Sequence, residues 1–192
     1  IELDPRFAVA YCNRATALLA MGRHEEALAD TDAALRLQPN LLEPLICRAG
    51  IFQALQRYVD AAAVARSILQ ISPNHLPAWH AAMEALLAMV QAKQASGVVD
   101  EPLLRESEQV LGEVLRRQPV FFQALHNRAI IRQMLRRHDE ALADLDRVLQ
   151  AAPAFAQAHI TRGNVLLEMQ RHSEAAAAFD NALALQPANA DF

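Results

Sequence analysis

Seven histidines, two cysteines and a recurring set of arginines and aspartates are the residues whose types could do chemistry in this chain. Their spacing argues against most of it. His24, His138 and His172 occupy one position of a repeating pattern, which sets them far apart and gives each a local role beside a turn. His75 and His80 miss the one-turn spacing that puts two metal ligands on one helix face. His126 and His159 lie on neighbouring units of the pattern, one step out of register. Cys12 and Cys47 are too few for a disulfide framework. On adjacent helices with axes about 8–10 Å apart, they also fall outside the roughly 7 Å Cα separation a disulfide needs. They read as free thiols. There is no glycine-rich phosphate loop, no HExxH and no CxxC. The expectation is therefore no catalysis, no metal and no cofactor.

The charged set points to structure. Arg14, Arg48, Arg128 and Arg162 recur at one position, and Asp32, Asp146 and Asp180 at another. An ion pair within each unit is expected, interrupted in the unit where Arg66 stands in the place of the aspartate. The net charge is −4 with pI near 6.0. A nucleic-acid partner would call for a basic stripe, which is missing. No window approaches the roughly 18 apolar residues of a membrane span. With so few cysteines, a reducing, cytoplasmic setting is the default expectation.

The elements that position these residues follow from the prolines. Pro5, Pro39 and Pro73 are 34 residues apart, as are Pro119, Pro153 and Pro187. Only the step from Pro73 to Pro119 is longer, by 12 residues. Hydrophobic residues make up 53% of the chain but aromatics only 5%, which favours close-packed, alanine-rich helices over strands. In each unit an apolar stripe at helical spacing, such as Tyr11, Ala15, Leu18 and Met21, is followed by a turn at Gly22–Arg23 and a second stripe. Acidic residues after the turn, Glu25 and Glu26 or Asp139 and Glu140, suit the positive end of a new helix. Proline ends the second helix, and Asn40 with Glu43 is expected to cap the next as a capping box. In the long unit the first helix is predicted from about Leu76 past Met89. The second opens on Asp100, with Pro102 in its first turn. Each should be longer by about six residues, roughly 9 Å, with Ser96–Val99 at the tip.

A 34-residue helix–turn–helix unit with small residues at positions eight and twenty and proline at thirty-two resembles the tetratricopeptide repeat. Position eight holds Ala15, Ala49, Met83, Ala129 and Gly163; position twenty holds Ala27, Ala61, Ser107, Ala141 and Ala175. The resemblance implies an all-α, right-handed α-solenoid of antiparallel helix pairs, about ten helices with the third repeat elongated. It implies one array over 1–192: a preceding repeat's tail (1–7), repeats at 8–41, 42–75, 76–121, 122–155 and 156–189, and the start of another (190–192). Arg132 at the apolar eleventh position, Arg117 at the thirtieth and His159 at the aromatic fourth depart from the pattern.

The same resemblance implies a protein-interaction scaffold whose first helices line a concave groove for an extended peptide or a partner helix. Carried over residue by residue, the partner-binding positions are Cys12, Asn13, Thr16 and Leu19; Ile46; His80 and Glu84; His126, Asn127 and Ile130; and Ile160 and Asn164. The family's carboxylate clamp, Lys and Asn at positions five and nine, is replaced by Cys12 and Thr16, or by His126 and Ile130. An alternative is the substrate-recruiting array of a bacterial enzyme resembling O-linked N-acetylglucosamine transferases, although only Asn13 and Asn127 match that family's asparagine ladder. A second alternative is a self-assembling module, associating end to end through the Tyr11 side and the Phe179/Leu183 side.

Overall fold

The computed structural model describes residues 7–185. Among them the secondary structure is ten helices: α1 (Ala8–Ala20), α2 (His24–Leu37), α3 (Leu42–Ala54), α4 (Tyr58–Ile71), α5 (Leu76–Ala95), α6 (Glu101–Arg117), α7 (Phe122–Met134), α8 (His138–Ala151), α9 (Ala156–Glu168) and α10 (His172–Leu185). Pro5, Pro187, the preceding repeat's tail up to residue 6 and the segment 190–192 lie outside the described residues. The chain forms two compact units that divide between Val98 and Val99. α1 packs on α2 and α3 on α4 in the first unit, as α7 does on α8 and α9 on α10 in the second. No described helix is long and apolar enough to cross a membrane.

One turn is used five times. Two residues beyond each first helix comes a residue with positive φ: Gly22 (72°), Gln56 (56°), Gly97 (71°), Arg136 (60°) and Gln170 (59°). Its own N–H and the next one reach back to the last carbonyls, as in Gln56 N to Gln53 O at 3.0 Å and Arg57 N to Phe52 O at 2.8 Å. This left-handed C-cap satisfies carbonyls that have no partner inside the helix. The following arginine braces the next helix: Arg23 pairs with Glu26, Arg57 with Asp60, Arg137 with Glu140 and Arg171 with Glu174, at 2.6–2.8 Å. The acidic residues expected at the helix dipole thus also hold the arginine that precedes them.

The second helices end for a different reason. Gln38, Ser72, Gln118 and Ala152 each precede a proline and take up extended ψ values of 75–90°, because the proline ring disfavours the helical region there. The turn beyond closes through Leu41 N to Gln38 O at 3.2 Å, and equivalently at His75, Phe121 and Phe155. This corrects the expected cap. Helix α3 starts after Leu41, with no side-chain cap, so Asn40 remains in the turn. His75 and Asp100 do cap their helices, His75 Nδ1 accepting from Ala78 N and Asp100 Oδ1 from Leu103 N.

Small residues set the packing. Ala15, Ala49, Ala129, Ala27, Ala61, Ser107, Ala141 and Ala175 are all buried, which lets helix backbones approach closely. The 12-residue insertion is shared unequally: α5 has 20 residues where other first helices have 13, and α6 has 17 where the other second helices have 14. His159 keeps the role of the aromatic it replaces. Trp79 Nε1 donates to Pro73 O at 2.9 Å, and His159 Nε2 lies 3.1 Å from Pro153 O, also six residues back. A carbonyl only accepts, so His159 carries its proton on Nε2.

The ion pairs form with different partners from those expected. Arg14 pairs with Asp30 and Arg128 with Asp144, each inside its own repeat. Asp32 and Asp146 instead pair with Arg48 and Arg162 of the following repeat. The rule is visible in the sequence once known. Repeats with an aspartate at position twenty-three satisfy their own arginine. Those with Val64 or Ala178 there leave it to the aspartate at position twenty-five of the preceding repeat.

Candidate partner-binding face

In the first unit, α3 packs beside both α1 and α5, bringing the first helices together. Thr16 Oγ1 lies 3.9 Å from Cys47 Sγ across the α1/α3 contact. Across α3/α5, Gln53 Nε2 donates to Glu84 Oε2 at 3.2 Å and to Ala81 O at 3.5 Å. Between α3 and α5 a pocket of about 190 Å³ is lined by Ile46, Ala49, Gly50, Gln53, Ile68, Pro77, Ala78 and Ala81. A β-carbon at Gly50 would sit 3.5 Å from Leu19 Cδ2 of α1, an ordinary van der Waals contact.

Of the residues named from the sequence, Asn13, Thr16, Ile46 and Glu84 are exposed, and Leu19 and His80 are half-buried. Cys12 is buried against Ala8 and Ala34, with Tyr11 and Leu41 around it. Burial pushes its thiol pKa up, helped by the negative charge of Glu43. Cys47 is raised by burial as well, partly offset by the Thr16 hydroxyl. Both are protonated, poorly nucleophilic thiols at neutral pH.

In the second unit α7 and α9 touch through His126. Its Nε2 lies 2.9 Å from Thr161 Oγ1, and that hydroxyl donates to Gln157 O at 3.0 Å. With the hydroxyl proton spent on the carbonyl, His126 must be the donor to Thr161. The ring is 7% exposed and meets Phe155 edge-on at 5.1 Å. Burial holds its pKa below the usual value, so it is a neutral joint between repeats. Asn127, Ile130 and Ile160 are half-buried and Asn164 is exposed. Gln133 Nε2 and Arg136 Nη1 both hold the Glu168 carboxylate, at 2.7 and 2.8 Å.

Away from this face, Arg132 shows why an arginine can take an apolar position. Its Nε donates to Glu108 Oε1 of α6 at 2.9 Å and its Nη1 to Asp144 Oδ2 of α8 at 2.7 Å. Its side chain is only 15% exposed. The departure at Arg132 and the acid in the long second helix are two halves of one contact. The pocket residue Pro77 was not singled out from the sequence; its signal was its place in the first turn of the next first helix, facing Gly50 at the groove's ninth position.

Models of the tetratricopeptide repeat match residues 8–41, 104–154 and 156–189, together more than half of the chain. The chain is 30% identical over 99 residues to the protein STIP1 homolog of Dictyostelium discoideum, which is 52% of this chain and 18% of that protein. It is 36% identical over 78 residues to a DnaJ homolog subfamily C member 7 homolog of Schizosaccharomyces pombe, 38% of this chain and 16% of that one. It therefore spans less than a fifth of the length of these relatives. Among solved structures, that of YrrB, described as a tetratricopeptide repeat protein with an unusual peptide-binding site, is similar with a TM-score of 0.84, 18% identity, and coverage of 98% of this chain and 91% of that one. MamA from Desulfovibrio magneticus RS-1 is similar with a TM-score of 0.80, 21% identity, and coverage of 95% and 97%. With the period, the small-residue positions and the repeated turn, these matches establish that the chain belongs to the tetratricopeptide repeat family, a protein-interaction module.

Proposed function

We propose that the first-helix face holds an extended peptide or a partner helix, with the pocket between α3 and α5 as its anchor. The observation that carries this reading is the pocket itself. Its walls are Ile46, Ile68, Pro77 and alanines, and one amide, Gln53, stands at its edge. About 190 Å³ suits one apolar side chain of a ligand, while Gln53 and Glu84 are placed to exchange hydrogen bonds with its backbone. In the second unit, taken by itself, Asn127, Ile130 and Asn164 form the same kind of surface over the buried His126, as the first unit's overlies the buried Cys12. YrrB is named for an unusual peptide-binding site, and the present reading assigns this chain the same class of ligand. One relative, from Cryptococcus neoformans, is named as a co-chaperone; Cys12 with Thr16, and His126 with Ile130, do not provide the basic clamp of chaperone-binding repeats.

A peptide array probed with the wild-type chain and with Ile46→Glu and Ile130→Glu tests this. Peptides bound by the wild type are expected to be lost with Ile46→Glu. Equal binding by all three proteins overturns the assignment.

A second reading, self-association, is favoured by one observation. Asp180 of α10 occupies the position at which Asp32 and Asp146 pair with the next repeat, and Leu183 and Leu185 beside it are exposed. Arg14 is already held by Asp30 of its own repeat, so Asp180 and these leucines would meet a different surface of a second copy. Sedimentation of the 192-residue chain is expected to show concentration-dependent association that Asp180→Arg abolishes; a monomer at all concentrations overturns it.

A further inference from the structure

The two units build the same joint between neighbouring first helices and finish it differently. In the second unit, Gln133 of α7 and Arg136 just beyond it both hold the Glu168 carboxylate of α9, at 2.7 and 2.8 Å. In the first unit, Gln53 stands at the repeat position of Gln133 and holds Glu84 of α5 at 3.2 Å. The position of Arg136 is taken by Gln56. Glu84 therefore meets a neutral amide and, among the described residues, no lysine or arginine.

Glu84 is exposed and lies in mid-helix, so no helix N-terminus offsets its charge. It is the only charged residue at position nine, where the other first helices have Thr16, Gly50, Ile130 and Asn164. The face around it has the same sign. At positions two, five, six, nine, twelve and thirteen of α1, α3 and α5 there is no lysine or arginine, and there are two carboxylates, Glu43 and Glu84. Arg14 and Arg48 of the same helices are turned to Asp30 and Asp32.

The hydrogen-bonding groups point the same way. Gln53 spends its amide N–H groups on Glu84 and on Ala81 O, which leaves its oxygen. Thr16 spends its hydroxyl proton on Cys12 O at 3.1 Å. What remains beside the pocket accepts. A backbone N–H from a ligand can meet one of these lone pairs, but it leaves the charge of Glu84 unmet.

We infer, resting on the reading of the α3/α5 pocket as a peptide anchor, that the segment bound there is basic. An aliphatic or aromatic side chain fills the pocket, and an arginine or lysine within two residues of it meets Glu84 as Arg136 meets Glu168. Gln53 sets that spacing, because it both lines the pocket and touches the carboxylate. Residues two apart on an extended segment are about 7 Å apart, which spans one such side chain.

A displayed library of random dodecapeptides selected on the 192-residue chain supplies the probes, which are then titrated against variants by fluorescence anisotropy. Glu84→Gln keeps an acceptor for Gln53 and removes the charge at an exposed helical position. Ile46→Asn removes a pocket wall without adding charge. Circular dichroism verifies that each variant keeps the fold. The expected peptides carry an apolar residue with arginine or lysine within two positions. Their affinity falls about fivefold with Glu84→Gln and is lost with Ile46→Asn. Selection on Glu84→Arg is expected to return acidic neighbours in place of basic ones. Peptides lost with Ile46→Asn but indifferent to Glu84→Gln overturn this inference and leave the groove reading intact. Basic peptides indifferent to Ile46→Asn, or a selection that enriches no sequence, overturn both.

Discussion

Arg128 of α7 grips Asp144 of α8 with both prongs of its guanidinium, at 2.6 and 2.8 Å, with the aspartate side chain only 3% exposed. Arg132 takes the same carboxylate from the next turn of α7. Neutralising Asp144 leaves two largely buried cations with part of their compensation gone. Asp144→Asn is expected to cost roughly 3 kcal/mol, at the lower end for breaking a buried pair, because Glu108 and Glu140 still hold Arg132. Asp146, two residues on, is 56% exposed and meets Arg162 through a single 3.3 Å contact. Asp146→Asn should cost less than about 1 kcal/mol. Urea denaturation of both variants checks the contrast; equal losses would mean that the buried pair is no stronger than the exposed one.

Phe179 of α10 fills the space that a side chain at position eight would use. A β-carbon at Gly163 would lie 2.5 Å from its Cζ and 2.6 Å from Cε1. A rigid ring cannot yield at one atom, so Gly163→Ala must move it whole. The overpacking cost of about 1–3 kcal/mol is reduced by the roughly 1 kcal/mol helix preference of alanine, leaving a net loss of about 1 kcal/mol. Phe179→Leu should remove the clash, so the double variant is expected to be more stable than the sum of the single changes. A double-mutant cycle with no coupling would show that the ring moves freely.

How much of this was legible beforehand depends on how far each contact reaches along the chain. The proline period gave the helix ends because the backbone restriction before proline is local to one residue, as at Gln38 and Ala152. The caps at Asp100 and the turn at Gly22 are local in the same way. The arginine pairs were misassigned because Asp30 and Asp32 lie about 200° apart around one helix. Only the rotation of α2 against α1 and α3 decides which of them faces Arg14 and which Arg48. The burial of His126 depends on Thr161, 35 residues away on the next first helix. No spacing rule reveals that the pair closes rather than lines a groove. The unequal split of the insertion, seven of its twelve residues going to α5, is likewise set by packing and not by spacing.

The repeated turn gives a direct test of backbone cost. Gln56 adopts φ of 56° where the equivalent turn of the first repeat has Gly22. A residue with a β-carbon in the left-handed region carries a penalty of roughly 1–2 kcal/mol, from which the greater chain entropy of glycine when unfolded subtracts about 0.4–1 kcal/mol. Gln56→Gly is expected to stabilise the chain by about 0.5–1 kcal/mol and raise the melting temperature by roughly 1–4 °C. Gly22→Gln should lower it by a similar amount. Calorimetry of the two variants decides it; a fall with Gln56→Gly would mean that the glutamine side chain makes up for its backbone.

His126 gives the chain a pH dependence with a definite sign. Burial lowers its pKa in the folded state, so below the ordinary histidine value of about 6.5 the unfolded chain binds the proton more readily. Stability from the neutral ring is fully present above pH about 6.5 and is lost as pH falls through that value towards the lower folded pKa. The ring donates to Thr161 through Nε2, and that bond survives protonation. What protonation adds is a charge at a site 7% exposed, beside the Phe155 ring. His126→Gln can keep the donor to Thr161 without the titration. Chemical denaturation at pH 7.5 and pH 5 should therefore show a smaller loss on acidification in His126→Gln than in the wild type, with the other six histidines contributing equally to both. The same loss in the two proteins would place the proton elsewhere.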